Sequence, residues 1–333
     1  MKCSPANCVA LTLLLTCGAV TAQDFGYEGQ HGPEHWGEDY KRCSGKHQSP
    51  INIDVVNVVE KQFPTLEFIN FDEKPKGIRL TNNGHTVLVK MDFEPGKTPR
   101  VRGGPLDARS ANTDYQFEQF HFHWGANNTV GSEDLINNQS YPAELHVVMR
   151  SLQYKDFASA LGQDHGVAVM AFFFRVKGND NPNYNEFTHL LSSIATKDKS
   201  ANFVAPLPLE KFLTSDLVNY YTYVGSLTTP PCSEEVVWID FSNPIDISED
   251  QIERFRHLTA NDQHLMNNFR PIQPLNDRTV YQNLLPMTPY GEMPMSSIPF
   301  VDAANGVVEV TTSSKLLLLC LLLLKAGILV AFN

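Results

Sequence analysis

Short apolar or alternating runs dominate the middle of the chain and constrain its fold more than any other feature. They are GIRLTNNGHTVLVKM (77–91), YQFEQFHFHWG (115–125), AELHVVMR (143–150), GVAVMAFFFRV (166–176) and EVVWIDF (235–241). Alternation puts one set of side chains on each face of a strand, and a continuous apolar run suits a strand buried on both faces. Helical periodicity is scarce. Its best case runs from Ser248 to Leu258, where Ser248 and Gln251 form a capping-box pair ahead of Ile252, Phe255 and Leu258. Shorter helices are expected near 154–161 and 184–194. No repeat and no internal linker breaks the span, so the reading is one mainly β (α+β) domain over residues 23–290 with short peripheral helices.

Both ends read as segments removed during maturation. Residues 1–22 carry Lys2, an apolar run from Val9 and small residues at Val20 and Ala22, the pattern of a secretory signal peptide cut after Ala22. The run is too short for the ~20 residues that a membrane-spanning helix needs. At the other end, SSKLLLLCLLLLKAGILVAFN is apolar to the last residue and broken by Lys325. Small residues at Asp302, Ala303 and Ala304 and a mostly polar spacer precede it, as in a signal for exchange to a glycolipid (GPI) anchor. The expectation is a linker over 291–302, attachment at Asp302 and a removed propeptide over 303–333. Ala304 and Asn305 are alternative attachment points, and a retained C-terminal span is the rival reading.

Of the six cysteines, Cys3, Cys8, Cys17 and Cys320 leave with these segments. Cys43 and Cys232 remain, and in an oxidising compartment the simplest reading is one disulfide, the other being two buried thiols. Two sequons, at Asn127 and Asn138, fit a glycan-bearing extracellular surface. Removing Lys2, Lys315, Lys325 and Glu309 from the 26 basic and 37 acidic residues leaves 23 against 36. That acidity is spread along the chain, serves solubility, and offers no patch for a nucleic acid.

QFHFHWG sets the chemistry. In a strand Gln119, His121 and His123 share one face and Phe120, Phe122 and Trp124 the other. The aromatic face is core. A His-x-His pair alone is as readily a polar surface as a metal site, but AELHVVM repeats the arrangement, with Glu144, His146 and Val148 on one face. Zinc in catalytic sites takes three protein ligands plus water, and its histidines need their second nitrogen held by a carboxylate, amide or carbonyl. Gln119 and Glu144 are candidates for that support.

With these residues in view, the chain resembles the α-class carbonic anhydrases from Gly26 to about Leu285. The motifs are GPEHW (32–36), QSPINI (48–53), NNGH (82–85), QFHFHWG (119–125), GSE (131–133), AELHVV (143–148), GSLTTPPC (225–232), VVWI (236–239) and NFRP (268–271). The resemblance implies a large, mostly antiparallel twisted central sheet whose central strands carry a zinc site. It places Zn2+ on His121, His123 and His146, with Gln119, Glu144 and the Asn268 carbonyl orienting the rings. Thr228 would donate its hydroxyl proton to Glu133 and so accept one from the zinc-bound hydroxide. Thr228 and Thr229 would meet the substrate oxygens.

The same resemblance assigns an apolar wall for carbon dioxide to Val148, Val169, Leu227, Val236 and Trp238, although ordinary core is the alternative for each. His85 matches a proton-shuttle position, while on its own a histidine after Asn-Gly reads as a turn residue. Tyr27 and Asn83 would order the connecting waters, and Leu88 stands where an efficient relative has asparagine. Cys43 and Cys232 match a disulfide of secreted relatives, and Ser49-Pro50 and Pro230-Pro231 match cis peptide bonds. The function implied is reversible hydration of carbon dioxide to bicarbonate and a proton by attack of zinc-bound hydroxide. It would run at the extracellular face of a plasma membrane to which a lipid anchor ties the chain. The alternative is a catalytically weak binding module of the same fold; a zinc hydrolase with a His-Glu-x-x-His helix is disfavoured because that motif is absent.

Overall fold

The computed structural model describes residues 25–108, 113–260 and 263–284. The expected signal peptide, the linker, Asp302 and the C-terminal tail lie outside the described residues. Ten strands form the path of a mixed sheet: β1 (Val59–Lys61), β2 (Gly77–Asn82), β3 (Val87–Asp92), β4 (Tyr115–Trp124), β5 (Ala143–Ser151), β6 (Val167–Val176), β7 (Ser200–Asn202), β8 (Tyr220–Ser226), β9 (Glu234–Ile247) and β10 (Tyr281–Asn283). Their spatial order is β7-β2-β3-β4-β5-β6-β9-β8-β10-β1, and Glu67–Ile69 and Arg100–Arg102 extend the sheet to twelve strands. Pairing is antiparallel except for β6 with β9 and β10 with β1. The mainly β architecture expected from the alternating runs is thus present.

β5 is buried along its whole length, and β6 along all but its last two residues. Such strands need cover on both faces. One face carries Phe120, Phe122, Trp124, Leu145, Val147, Met170, Phe172, Ile239 and Phe241 into the main core. Burying each large apolar side chain there stabilises the fold by roughly 1.5–3 kcal/mol. Helices α3 (Asn185–Leu190) and α4 (Glu249–Arg256) close that side through Phe187, Ile252 and Phe255. Ser248 caps α4: its Oγ accepts from Gln251 N at 3.1 Å, and Gln251 Oε1 accepts from Ser248 N at 3.3 Å. The helices expected near 154–161 and 184–194 are shorter than the sequence implied. The first is the single turn α2 (Phe157–Ala160), and α3 is flanked by 3-10 turns at Pro182–Tyr184 and Leu191–Ile194. The remaining α-helical turn, α1, spans Trp36–Asp39.

Strict alternation in β4 fails at one point, because the register against β5 shifts between Phe117 and Gln119. A bulge there lets Phe117 join the same core as Phe120, while Gln119, His121 and His123 stay together on the opposite face. Cys43 and Cys232, 189 residues apart, form a disulfide. It fastens the N-terminal segment to the loop that follows β8, and the peptide bonds Ser49-Pro50 and Pro230-Pro231 nearby are both cis.

Candidate metal centre

Cross-strand pairing lines the site up in rows. One row runs His121 on β4, His146 on β5, Ala171 on β6 and Asp240 on β9; the next runs Gln119, Val148, Val169 and Trp238. Directly paired residues share a face, so two strand registers bring His121 beside His146. His123 pairs with Glu144 on the same face.

Each imidazole is fixed from behind. His121 Nδ1 meets Gln119 Oε1 at 2.9 Å, His123 Nδ1 meets the Asn268 carbonyl at 2.7 Å, and His146 Nε2 meets Glu144 Oε1 at 2.8 Å. These oxygens only accept, so each ring donates there and its other nitrogen keeps a bare lone pair. Those nitrogens are Nε2 of His121 and His123 and Nδ1 of His146. One ligand atom from each ring lies within 4.8 Å of the others. His123 Nε2 is fully buried with no hydrogen-bond partner. Burial holds the His146 imidazole down at about pKa 3, and burial followed by the neighbouring rings holds His121 and His123 well below the usual range. All three are neutral at physiological pH. Three neutral imidazoles with oxygen acceptors behind them, and one orphaned nitrogen among them, fit a zinc ion in its catalytic coordination.

Glu133 faces the same point. Its Oε2 stands 3.3 Å from His123 Nε2 and 3.9 Å from His146 Nδ1, and its Oε1 accepts the Arg270 amide at 2.7 Å. Burial pushes this carboxyl well above its ordinary pKa, while the neighbouring Thr228 hydroxyl and the Arg270 amide pull it back. Gly131 permits the turn ahead of Glu133: its φ is +149°, and a Cβ there would lie 2.0 Å from the Pro142 carbonyl oxygen.

Two cavities meet at Gln119, His121 and Thr229. An apolar one of about 230 Å³ is lined by Val148, Val169, Leu227, Trp238, Phe157 and Leu161 as well as Thr228. A more polar one of about 370 Å³ takes in Tyr27, Asn83, His85, Leu88, Lys197 and Asp198. Of the five residues expected to form the apolar wall, Val236 differs. It is buried in the same apolar cluster as Val148, Val169 and Trp238 but does not line the cavity. The reason is its register, opposite Val167 and Gly225, one step beyond the Val169–Trp238 row.

Asn83 does more than line the polar cavity, since its Oδ1 accepts the amides of His85 and Thr86 and so shapes the turn. The His85 ring stacks on Phe25 with centroids 4.0 Å apart. Phe25 carried no signal in the sequence. Phe157 and Leu161 sit at either end of the short α2, and Lys197 and Asp198 arrive through pairing at the sheet edge, where Asp198 N donates to the Asn82 carbonyl at 2.7 Å. The sequons at Asn127 and Asn138 are exposed.

Three inward lone pairs, an acidic neighbour and an opening on two sides make a place on a β-sheet that could hold a metal ion. Residues 31–284 match the family described as eukaryotic-type carbonic anhydrase. The chain is 40% identical to carbonic anhydrase 7 of Homo sapiens over 263 residues, covering 77% of this chain and 96% of that protein. It is 34% identical to carbonic anhydrase 3 of Homo sapiens over 270 residues, 78% of this chain and 98% of the relative, and 36% identical to carbonic anhydrase 3 of Equus caballus over 265 residues, with coverage of 78% and 98%. The chain belongs to the eukaryotic-type carbonic anhydrase family and is an enzyme, a carbonate dehydratase. That family is zinc-dependent and acts on carbon dioxide, water and bicarbonate.

Proposed function

We propose that this chain hydrates carbon dioxide reversibly at a zinc ion held by His121, His123 and His146, outside the cell, tethered by a glycolipid. The observation that carries the catalytic part is the ring orientation: each imidazole is pinned on its outer nitrogen so that three lone pairs face one point. Zinc, when bound, supplies the Lewis acidity that makes a water nucleophilic near neutral pH. Gln119, Glu144 and the Asn268 carbonyl keep the three tautomers fixed. Thr228 donates its hydroxyl proton to Glu133, so its own oxygen can only accept, and this orients the attacking oxygen toward the substrate carbon. The Thr228 amide and the Thr229 side chain receive the oxygens of carbon dioxide or bicarbonate. Carbon dioxide is apolar, and Val148, Val169, Leu227 and Trp238 give it a wall that water does not prefer.

Each turnover releases a proton alongside bicarbonate. His85, in the polar cavity with Tyr27 and Asn83, takes that proton toward solvent, a task suited to an imidazole whose unperturbed pKa is about 6.5. With His85→Ala we expect turnover to fall by about 100-fold in weak buffer, the low end of the range typical of general acid–base groups, and to recover partly with added imidazole. Unchanged turnover in weak buffer would remove His85 from the pathway.

The test of the central reading is zinc stoichiometry paired with stopped-flow hydration before and after chelation. One zinc per chain, loss of hydration on its removal and recovery on readdition are expected. Bound zinc with no hydration would leave only a binding module. The disulfide, the exposed sequons and the two terminal sequence patterns support secretion and anchoring. Phosphatidylinositol-specific phospholipase should release the protein from expressing cells, and recovery of the intact C-terminal peptide from mature protein would refute the anchor. Among the described residues no helix is long and apolar enough to cross a membrane.

A further inference from the structure

The row that begins at His121 ends on a carboxylate. His146, Ala171 and Asp240 are successive cross-strand neighbours, with only the Ala171 methyl between the imidazole and the acid. Asp134 and Glu144 reach the same place, one oxygen from each of the three acids lying within 4.8 Å of the others. All three residues have no exposed surface.

Two of these acids are satisfied. Asp134 accepts the Ile51 amide at 2.8 Å and the Tyr223 hydroxyl at 3.1 Å. Glu144 accepts the amides of Glu133 and Asp134 at 2.8 and 3.0 Å, besides the His146 ring. Asp240 is not: neither of its oxygens has a hydrogen-bond partner. Arg278, the guanidinium whose charge reaches Asp134, is committed to the carbonyls of Pro274, Leu275 and Val224. A buried carboxylate with no donor is costly, and it is aimed at two others.

We infer that Asp134, Glu144 and Asp240 form a second cation site, for a hard divalent ion of the calcium type, behind the zinc ligands. The donors are all oxygens, which selects hard cations over zinc. Calcium binds oxygen at 2.3–2.6 Å, so oxygens across the ion are up to about 5 Å apart, the span found here. Asp240 offers both free oxygens, while Asp134 and Glu144 keep lone pairs beyond the hydrogen bonds they accept. Full burial disfavours magnesium, which retains several waters. The ion would share Glu144 with His146, coupling the two sites through one carboxylate. This inference does not depend on the zinc reading, because it rests on a different ligand set.

The zinc-loaded chain tests it by thermal unfolding against calcium chloride at constant ionic strength, with magnesium chloride and zinc chloride in parallel. Unfolding opens the cage, so burial does not hide the site from the assay. A ligand bound only by the folded chain raises the midpoint by mass action, by about 5 °C or more at a hundredfold excess over its dissociation constant. Calcium should raise the midpoint of the natural chain and leave Asp240→Asn unmoved. Asp240→Val, which suits a strand, should behave alike. Terbium emission sensitised by Tyr223, whose hydroxyl touches Asp134, should appear with the natural chain and vanish in Asp240→Asn. An equal calcium response in both proteins, or no calcium response in a chain that contains zinc alone, overturns the site and leaves protons neutralising the cluster.

Discussion

His146→Ala is expected to remove zinc and hydration activity together. The ring is one of three donors, its Nε2 is fixed by Glu144 at 2.8 Å, and it is buried against the Trp238 ring with centroids 4.9 Å apart. No described side chain is placed to supply a neutral nitrogen in its stead; Glu133 offers there only a carboxyl oxygen, its Oε2. Loss of a partner behind a ligand typically weakens metal binding by about 10–100-fold, so loss of a ligand should exceed that. Gln119→Ala offers the graded comparison, with reduced zinc affinity and a retained site. Metal analysis after dialysis against a competing chelator, with stopped-flow hydration on the same sample, checks both. Full zinc occupancy in His146→Ala would mean that the third ligand lies elsewhere.

Thr228→Val is expected to separate metal from chemistry. The substitution keeps the shape and discards the hydroxyl beside Glu133, so zinc content should stay at the natural level while hydration falls. About 100-fold is the scale for a positioned proton-transfer or oxyanion group. The apolar wall remains, so the loss should fall mainly on kcat/KM through orientation of the nucleophile. Zinc stoichiometry and hydration rate measured across pH distinguish the outcomes. A variant with full activity would show that the Thr228–Glu133 pair orients nothing, and one lacking zinc would make the pair part of the metal cage.

The strand runs and the helix cap were legible because their signals are local. Alternation separated Phe120, Phe122 and Trp124 from Gln119, His121 and His123, and Ser248 with Gln251 marked the start of α4. The bulge between Phe117 and Gln119 was not legible, since an extra residue in a ladder leaves no trace in residue type. Val236 shows a related limit. Its strand was evident, but whether it lines the apolar cavity depends on register against β6 and β8. Phe25 under His85 comes from the N-terminal segment, packed there with Tyr27 and Trp36, and Lys197 and Asp198 at the polar cavity come from a distant segment that pairing at the sheet edge brings near.

By itself the chain determined which residue types stood available on which strand face: two imidazoles in one run, a third beside a carboxylate in another, and two cysteines left once the terminal segments are discounted. Residue type and alternation are properties of neighbours along the backbone, so the sequence carries them directly. Tertiary structure alone decided that His121 and His146 stand side by side, which nitrogen of each ring faces inward, and that Asp240 ends the same row with no donor. Those outcomes depend on strand register and on acceptors supplied from distant segments, as with the Asn268 carbonyl behind His123, and no local pattern encodes them.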